Sequence, residues 1–130
     1  MIALTCIALM GLLVFALGLG VSLTRGRTGI VTGCPDDPTH PLYKIVRAHG
    51  NTIEYVPILC VLVYIVDTFH AGPWISAMAI GTTASRYAIA AGLLLSTTHA
   101  KAHPLRFAGA LGTYVFGILL CVLLLVSVWG

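Results

Sequence analysis

Charge is what this sequence has least of. Of its 130 residues only 8% are Asp, Glu, Lys or Arg, while 58% are hydrophobic. A soluble domain carries about a quarter charged residues to cover its surface. The polar groups here are too few for a water-facing shell, so the solvent is a bilayer. Acid is scarcer than base, four residues against seven, for a net charge of +3. The basic residues sit together in loops, which reads as membrane orientation and not as a nucleic-acid footprint. Cysteine is also sparse. Cys6, Cys60 and Cys121 lie in apolar runs and Cys34 in a loop, with no CxxC pair and no His/Cys spacing suited to zinc. That pattern excludes a disulfide framework and a metal site, and all four read as free thiols. Apolar and polar residues do not alternate, so a strand-built barrel is excluded as well.

What is present is four apolar stretches, 2–23, 51–70, 73–96 and 105–129, each near the roughly 20 residues that cross a hydrocarbon core. Backbone groups facing lipid can be satisfied only within their own segment, so all four are expected to be helical. The fold class expected is an all-α membrane protein, a four-helix transmembrane bundle in one domain, with helices over about 2–24, 42–70, 73–97 and 104–129. The first stretch lacks a basic start and exceeds a signal-peptide core in length, so it is expected to be a retained helix. The loop after it holds Arg25, Arg27, Lys44 and Arg47, and the loop after the third stretch holds Lys101 and Arg106. The short loop around Ala71 and Gly72 has no Lys or Arg, nor does the C-terminus. This bias places both basic loops in the cytosol and both termini outside. Simple loops and short helical ends are compatible with a bacterial inner membrane.

A charge inside a bilayer costs at least ~2.5 kcal/mol on insertion scales, so each one needs a reason. Helix two carries Arg47, Asn51, Glu54 and Tyr55, which at helical spacing share one arc of about 100°. Glu54 lies about 10 Å deeper than Arg47. Helix three adds Arg86 at comparable depth. Two readings stay open at this point: a structural Glu54–Arg86 pair, or a polar site to which all five residues contribute. Asp67, near the opposite face, is expected to be a solvated cap. His49 points away from the stripe, either solvated or toward a neighbouring copy. The other histidines, His40, His70, His99 and His103, stand at helix ends without ligand spacing. Trp74 and Trp129 fit an interfacial belt. Gly11, Gly18, Gly20, Gly109, Gly112 and Gly117 are expected to allow close helix packing.

The segment Val46-Arg47-Ala48-His49-Gly50-Asn51-Thr52-Ile53-Glu54-Tyr55-Val56-Pro57 resembles the helix-two signature of the MAPEG superfamily, the membrane-associated proteins in eicosanoid and glutathione metabolism. Val21-Ser22-Leu23-Thr24-Arg25 is similar to that family's helix-one exit. Arg86 with Gly92 resembles its helix three, and Arg106-Phe107-Ala108-Gly109 with Thr113 resembles the start of its helix four. The resemblance spans the chain. It departs at Ile89 and Leu93, where the family often has histidine or tyrosine.

The resemblance implies a homotrimer that binds glutathione between subunits near the cytosolic face. Arg25, Arg47, His49, Asn51, Glu54, Tyr55 and Arg86 are then the expected glutathione-binding residues. Two carboxylates of the peptide suit the forked donors of arginine. Catalysis needs a thiolate, and a free thiol near pKa 8.5 is mostly protonated at neutral pH. Lowering that value by about two units takes only ~2.7 kcal/mol, which a guanidinium beside the sulfur supplies. Arg106 is the expected catalytic residue. The expected activity is a glutathione-dependent transferase or peroxidase acting on a lipophilic electrophile or hydroperoxide that arrives through the lipid bilayer. The alternatives are a non-catalytic lipid-binding or scaffold member of the same superfamily, and a small multidrug transporter. The latter depends on a carboxylate in the first helix, and none is there.

Overall fold

In the computed structural model, which describes residues 1–129, the chain forms four helices and, among those residues, no strand. They are α1 (Ile2–Thr28), α2 (Pro41–His70), α3 (Pro73–Leu95) and α4 (Pro104–Trp129). Each is long and apolar enough to cross a membrane. α1 continues a turn past the expected end because Arg25 and Arg27 occupy its last turn, where cations suit the exposed carbonyls. It stops at Gly29, whose φ of 70° is left-handed and whose N–H donates to the Arg25 carbonyl. α2, α3 and α4 each begin on proline, at a position whose N–H would have no helical partner.

The layout follows from which faces are apolar on both sides. α3 packs against all three other helices, α1 also packs on α2, and α2 on α4, whereas the backbones of α1 and α4 stay apart among the described residues. Half of the most apolar window of α3 is buried, against 11% of that of α4. The core stacks in three layers along α1. Cys6 packs with Val63, Ile75, Ala79 and Leu120 at one end, Met10 with Val56 and Leu59 in the middle, and Leu13 and Leu17 with Ala48, Ile89 and Ala90 at the other. Outside this core the surface is apolar: Phe15 is 79% exposed, and Trp74 and Trp129 are also exposed. All four cysteines are free.

Two glycines let α3 and α4 touch backbone to backbone. A Cβ at Gly109 would fall 2.5 Å from the Ile89 nitrogen, and one at Gly92 would fall 2.6 Å from the Arg106 nitrogen. Gly11, by contrast, faces open space within 4 Å, so it serves no packing role inside one protomer.

Buried hydroxyls settle their own polarity. Thr52, Thr82 and Thr83 each donate to the carbonyl four residues back. At the far end, the two longer loops join. The His99 N–H donates to the Pro38 carbonyl at 3.3 Å, and the rings of Tyr43 and His99 meet edge-on at 5.5 Å. The basic residues of the loops therefore gather at one end of the bundle, and the Ala71–Gly72 turn, Met1 and Trp129 lie at the other.

Candidate functional site: a cation-lined cavity at the basic end

Arg86 organises the interior. It is 0% exposed, the largest side chain to be fully buried. Its Nη2 donates to both the carbonyl and Oδ1 of Asn51, at 2.9 and 2.7 Å, and its Nη1 donates to Thr113 Oγ1 at 3.2 Å. Thr113 passes its own hydrogen to the Gly109 carbonyl at 2.8 Å. One turn along α2 from Asn51, the Tyr55 ring stands 5.2 Å from the guanidinium carbon, a cation–π separation. Tyr55 in turn meets Tyr114, hydroxyl to hydroxyl at 3.4 Å. A single arginine thus crosslinks α2, α3 and α4 at mid-membrane depth. The planar fork makes this possible, because it donates in several directions at once.

This arrangement bears on the first of the two readings of the stripe, the Glu54–Arg86 pair. Arg86 spends its bonded donors on Asn51 and Thr113, while Glu54 is exposed on the outer side of α2. The Glu54–Arg86 pair is replaced by a neutral cradle. Helical phase correctly put Glu54 and Arg86 at similar depth, yet it could not show which neighbour α3 would present Arg86 to. Thr113 was the missing partner. It lies seven residues after Arg106, the same face two turns deeper, and that spacing was the available signal.

On the loop side of this crosslink lies a cavity of about 330 Å³. Arg47 and Asn51 line it from α2, Ile89 and Leu93 from α3, and His103, Arg106, Phe107 and Ala110 from α4 and its lead-in. The lining thus combines two guanidinium groups and an amide with apolar side chains. Arg106 directs Nη1 to the carbonyls of His99 and Lys101, both at 3.3 Å, which ties the loop over the cavity. A guanidinium carries five N–H donors, so this use of Nη1 leaves those on Nη2 and Nε for other partners. The other side of the crosslink holds a nearly all-apolar groove of about 270 Å³ between α2 and α4, lined by Tyr55, Ile58, Leu62, Tyr114, Ile118 and others.

The remaining sequence candidates are not brought into the cavity within one chain. Arg25 folds back on its own helix end, donating from Nη1 to the carbonyls of Ile30 and Val31 at 3.2 and 3.3 Å. It belongs to α1, whose backbone does not approach that of α4 among the described residues. His49 faces α1: a Cβ on Gly18 would lie 3.3 Å from its Nε2. Glu54 faces outward, and Tyr55 is on the far side of Arg86. His103 and Phe107, which sequence reasoning did not select for the site, do line it.

Four membrane-length helices, three of which line a cation-bearing recess at the basic end, define a multi-pass integral membrane protein with a pocket suited to an anionic ligand. The chain belongs to the MAPEG family, which it matches over residues 3–126. That family includes glutathione-dependent transferases and peroxidases and also non-catalytic members. Comparison with individual curated proteins gave no match.

Proposed function

We propose that this protein is a glutathione-dependent membrane transferase or peroxidase that attacks lipophilic electrophiles or hydroperoxides through a thiolate held by Arg106. The observation that carries the reading is the cavity itself, where Arg47, Asn51 and Arg106 line one space of about 330 Å³. Two guanidinium groups match the two carboxylates of glutathione or, alternatively, one carboxylate and the thiolate. Ile89, Leu93 and Phe107 add apolar lining that suits a lipophilic second substrate. In this reading the basic end is cytosolic, the termini lie outside, and the membrane is a bacterial inner membrane.

The separation of α1 from α4 supports a shared site in a homotrimer. Arg25 and Arg106 lie on helices at opposite edges of the protomer, so both reach one glutathione only if α1 of one copy lies against α4 of the next. Glu54 and Tyr55, partly turned outward on α2, then also face a neighbouring copy.

Glutathione titration by calorimetry and conjugation to an aryl halide in nanodiscs test the proposal, with Arg106→Ala as the comparison. The expected result is heat at millimolar glutathione or below and a thiol-dependent rate that Arg106→Ala lowers by about 10²-fold, the usual size for one removed charge-stabilising donor. Equal rates for the two proteins would take Arg106 out of the mechanism. A second reading, a non-catalytic lipid-binding member, is favoured by one observation: Ile89 and Leu93 offer no hydroxyl or imidazole to a thiol. It predicts no heat with glutathione.

A further inference from the structure

The tripeptide His-Pro-Leu occurs twice in this chain, at 40–42 and 103–105, each time leading into a helix whose first residue is the proline. The two copies use their histidines differently. His40 Nδ1 accepts the Leu42 N–H at 3.1 Å and caps α2. His103 makes no such bond. Its Nδ1 is buried and has no hydrogen-bond partner among the described residues, while its residue lines the cavity together with Arg47 and Arg106. A buried polar atom left without a partner carries a free-energy cost. The capping bond that would remove this cost is demonstrated by the same tripeptide elsewhere in the molecule, and α4 forgoes it.

Inventory of the cavity gives the unpaired nitrogen a meaning. Arginine has no acceptor and stays protonated, so Arg47 and Arg106 can stabilise an anion but cannot receive a proton. Asn51 Oδ1 is occupied by Arg86. Ile89, Leu93, Phe107 and Ala110 are apolar. Among the residues lining the cavity, His103 alone offers a basic nitrogen.

We propose that His103 is the catalytic base of this site and takes the proton of the bound thiol as the thiolate forms beside Arg106; this rests on the thiol-binding reading above. In the step, the S–H bond breaks, its electron pair stays on sulfur, and the proton passes to the neutral imidazole. The product is an imidazolium–thiolate pair. The charged groups around His103 are all cationic: Arg106 on its own helix, Arg47 from α2 and Lys101 from the preceding loop, while α3 contributes only Ile89 and Leu93.

The test follows protons and thiolate together. Full-length protein in nanodiscs is mixed with glutathione in weak buffer at neutral pH, thiolate is read by its ultraviolet absorbance, and released protons by an indicator dye. S-methylglutathione supplies the baseline for protons unrelated to the thiol. With the wild type, thiolate is expected to appear without net proton release. With His103→Asn, thiolate should form about 10²-fold more slowly, each one releasing a proton to the buffer. His103→Phe, which keeps the ring, replaces it if asparagine perturbs folding. His40→Ala, which removes the cap on α2, should lower thermal stability and leave the proton count as in the wild type. Release of one proton per thiolate by the wild type, or an unchanged rate and count in both His103 variants, overturns the assignment. Absence of any thiolate in the wild type removes the thiol-binding reading and this inference with it.

Discussion

Replacing Arg86 by leucine should move two measurable quantities in opposite directions. Arg86 lies near the middle of α3, the helix with the lowest hydropathy of the four. A central arginine costs about 2.5–3.5 kcal/mol on insertion scales, and leucine is favourable by about 0.5 kcal/mol. Arg86→Leu should therefore favour insertion of isolated α3 by about 3–4 kcal/mol, on the order of a hundredfold or more. In the assembled bundle the same change removes three hydrogen bonds to Asn51 and Thr113. Interhelical bonds in membranes average about 0.6 kcal/mol and reach about 1.7, so their loss weakens assembly by about 2–5 kcal/mol. A glycosylation-reporter assay on α3 alone measures the first effect, and reversible unfolding of the full chain in mixed micelles measures the second. Unchanged insertion, or a bundle stabilised by leucine, would refute the argument that Arg86 is costly to insert and useful once packed.

Three further outcomes are expected. Arg25→Ala and Arg106→Ala subunits, each inactive alone, should regain roughly a quarter of wild-type conjugation when co-expressed, because random assembly rebuilds some interfaces with both arginines intact; no recovery would place the two in one protomer or remove Arg25 from the site. Gly109→Ala should destabilise the bundle by about 1–3 kcal/mol despite the ~1 kcal/mol better helix propensity of alanine, since its Cβ meets the Ile89 backbone nitrogen; denaturation midpoints decide. In the first loop, the Thr39 N–H and hydroxyl both donate to Asp37 Oδ1, at 2.9 and 2.8 Å, and hold its carboxyl below the usual 3.8. The turn is thus secured above that value and loosens as pH falls through the lower, folded-state one. Amide exchange at Thr39 should be slow at neutral pH, and Asp37→Asn should accelerate it.

Helices were legible because lipid leaves the backbone no alternative: a run of about 20 apolar residues with its ends marked by proline has one solution. The loops were legible too, for Lys and Arg counts separated the two ends before any contact between Pro38 and His99 was known. The site was legible only in part. Periodicity assigns each residue an angle on its own helix, and that sufficed for Arg47, Asn51 and the opposed His49. It says nothing of which helix stands opposite, so a Glu54 pair and a shared polar site both stayed open for Arg86, and the Thr113 hydroxyl was not selected. Arg25 escaped for a related reason: its use as a cap on the end of α1 depends on the path of Ile30 and Val31. His103 escaped because its distinguishing property is the absence of a bond, and the identical tripeptide around His40 makes that bond.

The crosslink at Arg86 also partitions the interior. On its basic side the recess presents Arg47, His103 and Arg106; on the other, the groove walls of Ile58, Leu62 and Ile118 are apolar. Between them Asn51, Thr113 and the Tyr55 ring surround the guanidinium with uncharged partners, so a polar and an apolar compartment sit back to back within one bundle.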